Sequence, residues 1–391
     1  MIERSALGVE AVRGQRFSFD WAPPLTSWLN PRWSYTSDYA RNHTREASRS
    51  LDSLDLRDFA VTTNRTLSLD FEVVGLIETF VGGEEAQGPQ SWWKRLIQPL
   101  RFDQSRQESA SYVQEEIDPG FGFTLGFGSL EDEGRENPQN LSTNESWSLS
   151  GGLVPFEGMQ LRGAYRERET SRQYFAGTNS TGSRTWPDVQ FRWTPEGFPG
   201  FVDRFLSGAT LTSDFRREEL ESGANGLPLR DNDRRVWDPL IGITMTWGNG
   251  MSTDFRATTS SDVETNIRGG VIDSRREEDA TDLTATVNYS ILPGTKIYIP
   301  FPSLWGVVLQ QPLRTSLTIA RRYRESTTAL PGQVEEALNL QTATTEARPA
   351  VSYEFGRMVL GFAFSYLQRD DQKRDVKDTT TSMEAYMDFL F

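Results

Sequence analysis

The last ten residues, Ser382–Phe391, alternate between apolar and polar side chains, with Leu390 as the single apolar exception on the polar side. Successive side chains of a β-strand point to opposite faces, so this pattern predicts one apolar and one mostly polar face. About ten residues also suffice for a tilted strand to cross the hydrocarbon layer of a membrane. A membrane-spanning strand and an amphipathic strand of a soluble sandwich both fit this stretch when it is taken alone.

The same alternation recurs regularly from residue 145 onward. In one segment Ile241, Ile243, Met245 and Trp247 oppose glycine and threonine, and 281–291 repeats the pattern with Leu283 through Ile291. Alternation of this kind predicts half-buried strands. The expected strands are 145–153, 159–168, 188–193, 207–216, 238–247, 251–260, 281–291, 313–324, 347–354, 358–367 and 382–391.

The connections between these strands alternate in length. Short turns are expected at 155–158, 248–250 and 355–357, and long polar loops at 169–187, 217–237, 261–280, 325–346 and 368–381. Transmembrane barrels show this asymmetry, with short periplasmic turns and longer extracellular loops. With Phe391 on the periplasmic side, Trp193, Trp247 and Phe355 would form part of an aromatic girdle at that interface.

Upstream of residue 145 the pattern is less regular. Strands are expected at 16–21, 32–36, 66–73, 100–112 and 120–127, with a polar loop over 37–64. A helical insert is expected near 78–97, where Ser91 can cap a short helix. In this part short and long connections do not alternate between the two ends of the strands, which indicates that one strand is missing from the predicted set.

Together these patterns predict an all-β protein, an antiparallel transmembrane β-barrel or the C-terminal portion of a larger one, with about 14–16 strands. Residues 1–391 would form a single barrel region in the bacterial outer membrane. No run approaches the roughly 18 apolar residues of a membrane helix. The first residues, Met1-Ile-Glu-Arg-Ser-Ala, lack the basic start and apolar run of a signal peptide, so we expect a piece of a longer protein.

Composition excludes several functions. The net charge of −14 argues against nucleic acid as a partner, because phosphate binding needs a basic face. There is no cysteine, and the single histidine, His43, lies in a polar stretch. No catalytic motif with a nucleophile and base is present. We therefore expect neither an enzyme, nor a metal site, nor a cofactor.

The polar faces of the predicted strands carry charged residues that would be costly against lipid. In a barrel they would face a hydrated lumen; in a soluble sheet they would face solvent. The lumen-facing candidates are Asp214, Arg216, Asp254, Arg256, Asp282, Arg314, Glu384 and Asp388.

The closing strand carries a second candidate. Its apolar face ends on an aromatic residue, which is typical of the feature that the barrel assembly machinery recognises in outer-membrane barrels. The expected assembly signal consists of Met383, Ala385, Met387, Phe389 and Phe391.

From about residue 16 the sequence resembles the C-terminal barrel region of SprA/Sov-type cell-surface proteins. The resemblance lies in Phe17–Ser37, the Leu67–Leu76 strand, Trp92–Arg101, Phe121–Phe127 and the terminal strand. It implies the outer-membrane translocon of type IX secretion, linked to gliding motility, with outer-membrane lipid, secreted protein cargo and accessory proteins as partners. A free-standing porin for small solutes and a surface β-sandwich adhesin stay open as alternatives.

Overall fold

The computed structural model describes residues 12–43, 57–81, 96–115, 120–127, 139–174, 177–197, 200, 202–298, 305–331 and 337–389. Fifteen strands form one sheet in which neighbours in sequence are neighbours in space, and two further short strands form a separate hairpin. The strands are β1 Val12–Trp21, β2 Leu29–His43, β3 Arg57–Phe71, β4 Leu100–Glu115, β5 Asn140–Leu153, β6 Met159–Tyr174, β7 Gly177–Trp193, β8 Leu206–Ala224, β9 Leu227–Trp247, β10 Met251–Arg268, β11 Val271–Ile291, β12 Lys296–Tyr298, β13 Trp305–Val308, β14 Leu313–Ala329, β15 Ala337–Phe355, β16 Met358–Asp371 and β17 Val376–Phe389.

The predicted all-β fold with antiparallel strands is therefore confirmed, and the strand number lies within the expected range. All pairs are antiparallel, so the chain runs up and down between two ends of the sheet. We call the end with the turns at 154–158, 248–250 and 356–357 the lower end, and the opposite end the upper end. β1 and β17 are the two edges, and within the described residues neither has a second partner strand.

A β-sandwich requires two sheets packed face to face. The described strands form one large sheet and one two-stranded hairpin instead. The alternative of a sandwich adhesin is therefore wrong in its architecture. In the described ranges, no helix is both long and apolar enough to span a membrane.

The segments predicted as long loops are mostly strand, which corrects the sequence analysis. β8 and β9 run through 217–237 and meet at the two-residue turn Asn225-Gly226, and β10 and β11 run through 261–280 to Gly269-Gly270. All four turn residues have positive φ, between 53° and 80°, as a tight hairpin turn of the primed type requires. The other three predicted loops, 169–187, 325–346 and 368–381, are likewise shortened by continuing strands.

The predicted short turns at 155–158, 248–250 and 355–357 lie close to where the structure has its lower connections. Two further lower connections contain the 3₁₀ turn Val202–Arg204 and the β12–β13 hairpin. The parity of the chain from residue 145 onward is thus confirmed.

The N-terminal part differs more from the prediction. β2 and β3 take up both ends of the expected loop 37–64, and residues 44–56 lie outside the described ranges. A helix, α1, spans Val73–Val81, partly before the predicted insert at 78–97. Residues 82–95, with Ser91, lie outside the described residues.

The prediction of a strand at 120–127 is wrong. It forms a short helix, α2, at Phe121–Thr124 and a turn through Gly126, whose φ is 70°. The irregular connections before residue 145 therefore came from one predicted strand too many, not from a missed strand. Without a strand at 120–127, the strands before residue 145 alternate in direction as the structure requires. Phe123 packs against Phe59 and Tyr112, with ring centroids 5.6 and 5.9 Å apart.

Candidate functional site: an apolar band and a polar inner face

The register of the sheet assembles a continuous apolar face in its lower half. Ile243 lies opposite Phe255, which lies opposite Ala285, which lies opposite Ile319. The side chains are exposed although they are apolar: 47% of Ile319 and 41% of Phe362 are accessible. An exposed apolar surface that continues over many strands marks a contact with lipid or with another protein. The odd-numbered apolar residues of 241–247, 283–291 and 383–391 are expected to face lipid, and those among the described residues lie on this face.

Aromatic residues bound this band at both ends. Trp193, Trp247 and Phe355 end their strands at the lower boundary, as predicted for a girdle. Toward the upper boundary, Trp147 stacks on Tyr165 with centroids 4.4 Å apart, and the rings of Phe215 and Trp237 lie 4.5 Å apart. Aromatic girdles at both interfaces are characteristic of transmembrane barrels.

The band has about the height of a membrane. Trp237 and Trp247 mark its two boundaries on β9. The intervening strand is roughly 33 Å long at 3.3 Å per residue. A tilt of about 40° would reduce this to roughly 25 Å, the height of the apolar band of outer-membrane barrels.

Above the upper aromatic residues of β5, β6, β8, β9, β14 and β16, the same face becomes charged or polar. Arg217 pairs with Asp233 at 2.8 Å, and Arg184 pairs with Glu167 at 3.4 Å. These pairs are partly exposed, and each contributes about 0–1 kcal/mol. The change from apolar to charged side chains therefore marks where the face enters water. The residues next above the upper aromatic rings are Glu145, Glu167, Arg217, Arg235, Glu325 and Gln368.

The other face of the sheet is polar at the height of the band. Ser252 on β10 and Tyr386 on β17 line one cleft of about 360 Å³ on this face. The two strands are five positions apart, which is about 24 Å in a flat sheet. The sheet therefore curves toward the polar face, which we call the inner face. A curved antiparallel sheet with an apolar convex face and a polar concave face is the architecture of a barrel wall.

The eight predicted lumen residues all lie on the inner face, spread from β8 to β17. This placement fixes their face; their role in a lumen stays a prediction. Arg256 donates a hydrogen bond to Asp238 at 2.6 Å, and Asp254 accepts one from Thr244 at 2.7 Å. Asp282 lies 3.9 Å from Arg322.

The remaining candidates do not join these pairs into one site. Arg216 contacts Glu218 at 3.0 Å, and Arg314 lines the cleft between β10 and β17. In the described part of the chain, no group of acidic or histidine side chains could hold a metal ion. The charged side chains of the inner face are therefore dispersed over several strands.

The predicted assembly signal lies on β17. Met383, Ala385, Met387 and Phe389 face the same side as the apolar band, opposite Phe364, Phe362, Leu360 and Met358. Phe391 lies outside the described residues. The function of these residues in assembly stays a prediction.

Sequence reasoning missed the arginines of β6. Arg162, Arg166, Arg168 and Arg172 are even-numbered in a strand without a bulge toward β5, so they share the inner face. The signal was present in the even spacing of Arg162, Arg166 and Arg168 within the expected strand 159–168, whereas Arg172 falls in the expected loop 169–187.

No protein-family model matches the sequence, and no curated protein matches it. Among solved structures, the chain is similar to the copper transporter OprC, with 9% identity and a TM-score of 0.33. The aligned region covers 93% of this chain and 63% of OprC. It is also similar to the ferric yersiniabactin uptake receptor FyuA from Yersinia pestis, with 12% identity and a TM-score of 0.27. The aligned region covers 93% of this chain and 61% of FyuA. The chain spans less than two thirds of the length of either structure.

Proposed function

We propose that this chain forms part of the wall of a wide hydrated conduit in the bacterial outer membrane. The observation that carries the proposal is the two-faced sheet, with an apolar band bounded by aromatic residues on one face and hydroxyl-rich side chains on the other. A lipid-exposed surface with a polar interior behind it is the arrangement of a transmembrane channel.

The edges of the sheet bear on the width of the conduit. Fifteen strands curve toward the inner face, yet β1 and β17 do not pair with each other in the described residues. A strand edge exposes unpaired N–H and C=O groups, which cannot be left unsatisfied inside a membrane. A barrel that contains this sheet and additional strands would satisfy both edges. Its lumen would be wider than that of a closed barrel of the same fifteen strands.

A wide lumen fits the passage of proteins better than that of small solutes. We therefore propose, with the resemblance to SprA/Sov-type proteins as further support, that the conduit serves protein export by type IX secretion. Secreted proteins would pass along the inner face, and outer-membrane lipid would cover the band. Accessory proteins of the translocon and the barrel assembly machinery would be partners in the cell.

The test is the size of the solute that passes. The intact protein containing this chain would be reconstituted into vesicles loaded with a sugar and with fluorescent dextrans as large as a folded protein domain. Release of both the sugar and the dextrans is expected. Release of the sugar alone would support a porin-like channel for small solutes, and retention of both would contradict a conduit.

A further inference from the structure

The inner face of β6 carries a line of arginines. Arg162, Arg166, Arg168 and Arg172 are all exposed and lie on the same side of the strand. Ten residues separate the first from the last, which is about 33 Å along the strand. The line therefore extends over a length comparable to the thickness of a membrane.

These arginines have few partners in the protein. Arg166 pairs with Asp188 at 2.8 Å, and Arg168 donates a hydrogen bond to Asn144 at 2.9 Å. Within the described residues, neither Arg162 nor Arg172 has a hydrogen bond or an ion pair with a side chain. Among the described residues, Arg162 and Arg172 thus keep unpaired guanidinium groups, in a chain whose net charge is −14.

The strand before β6 explains why the charge is not compensated. The inner face of β5, directly opposite the arginines, consists of small uncharged side chains. Its residues in the register facing β6 are Ser142, Asn144, Ser146, Ser148, Ser150 and Gly152. Hydroxyl and amide groups can donate further hydrogen bonds to an anion, whereas a carboxylate there would repel it.

Two clefts on the inner face adjoin this line. One of about 320 Å³ is lined by Ser150, Arg162 and Arg166. Another of about 460 Å³ is lined by Ser148, Arg166 and Arg168. Each cleft brings two guanidinium groups and a serine hydroxyl to one concave surface. Each also contains one inner-face carboxylate that already has an arginine partner: Asp188 pairs with Arg166, and Asp103 pairs with Arg101. The planar guanidinium matches the two oxygens of a carboxylate or phosphate, and such charge-assisted hydrogen bonds are stronger than neutral ones.

We propose that the inner face of β6 is an oxyanion-binding track, defined by Arg162, Arg166, Arg168 and Arg172, for solutes or segments that carry carboxylate or phosphate groups. The proposal rests on the proposed function, because the track would guide such groups only if the inner face lines the conduit. Rows of charged side chains in a pore attract ions of opposite charge and set selectivity.

The test measures binding of pyranine, a fluorescent trisulfonate, to the intact detergent-solubilised protein by fluorescence anisotropy at low salt. The double variant Arg162→Gln/Arg168→Gln should weaken binding by roughly tenfold, since each exposed ion pair is worth up to about 1 kcal/mol. The control Arg321→Gln lies on the opposite face and should change binding less than twofold. The matching variant Arg162→Lys/Arg168→Lys should retain part of the affinity, because it keeps the charge but loses the planar fork.

Competition identifies the natural chemistry. Displacement of pyranine by inorganic phosphate or by a triglutamate peptide supports the track and distinguishes the two sources of oxyanion. Absence of pyranine binding, or equal losses in Arg321→Gln and in the double variant with unchanged circular dichroism spectra, would overturn the proposal. Binding in detergent does not need transport, so this result is independent of the dextran release that tests the conduit.

Discussion

Trp147 and Tyr165 stack across β5 and β6 at the upper boundary of the apolar band, with ring centroids 4.4 Å apart. The Tyr165 hydroxyl donates a hydrogen bond to Glu167 at 2.8 Å, so the ring lies on the apolar side while its oxygen reaches the charged surface above. Aromatic residues with one polar end favour a membrane interface for this reason. The pair marks the depth at which the outer face passes from lipid to water.

Replacement of Trp147 by alanine should destabilise the sheet. The stacked ring pair contributes about 0.5–1.5 kcal/mol beyond the burial of the ring area, so the free energy of unfolding should fall by at least about 1 kcal/mol. Ser148→Ala is the control, since it alters the inner face one residue away and should stay within about 0.5 kcal/mol. Denaturant unfolding in lipid vesicles checks both. An equal loss for the two variants would contradict a special role of the outer face here.

A charge within the apolar band should be costly on one face only. Ala285 and Thr286 are neighbours on β11, and Ala285 lies opposite Phe255 on the outer face. Ala285→Arg should cost about 2–4 kcal/mol in lipid, whereas Thr286→Arg should cost much less because its side chain enters the hydrated face. Unfolding in vesicles and the amount of protein in the outer membrane measure the difference. Equal costs would mean that lipid does not cover the band.

The segment 120–127 should depend on Gly126. A Cβ at this residue would lie 2.1 Å from the Thr63 methyl carbon and 2.6 Å from the Tyr35 hydroxyl oxygen, and its φ of 70° disfavours other residues. Gly126→Ala should displace the segment and break the hydrogen bond from Tyr35 to the Leu125 carbonyl. We expect faster proteolysis within the segment. Gly163→Ala, where a Cβ meets no atom within 4 Å, is the control. Unchanged proteolysis of the Gly126 variant would contradict this packing.

The upper end of the sheet should face the outside of the cell. The native chain has no cysteine, so Asn225→Cys and Lys373→Cys provide single probes in two upper hairpin turns, and Asn249→Cys provides one in a lower turn. An impermeant thiol reagent should label the first two on whole cells. It should label the third only after the outer membrane is opened. The reverse pattern would invert the orientation.

Alternation in the sequence predicts the strands well within the apolar band and poorly in the upper half of the sheet, for one physical reason. Where one face meets an apolar phase, alternation is visible, as in Ile241–Trp247. Above Trp237 both faces meet water, so alternation disappears while the backbone ladder continues to Leu227. The Asn225-Gly226 turn was a local signal of a hairpin, and it was absorbed into the predicted loop.

Two other differences arose from tertiary contacts. The segment 120–127 alternates like a strand, with apolar side chains at Phe121, Phe123, Leu125 and Phe127. It nevertheless forms α2 and a turn, which pack against the outer face of β1–β4. No local pattern predicts that packing. The lumen candidates were placed on one face by period alone, whereas their ion pairs, such as Arg256 with Asp238, depend on a register that the sequence does not reveal.

The most direct test of the central claim compares two adjacent residues in the middle of the band. Val287→Cys and Thr286→Cys would each carry a nitroxide spin label in protein reconstituted into vesicles, and collision with oxygen and with a water-soluble nickel chelate would be measured. The label at 287 should collide mainly with oxygen, which concentrates in lipid, and the label at 286 mainly with the chelate. Equal exposure of both labels to the chelate, or the reverse preference, would contradict an outer face in lipid and an inner face in water.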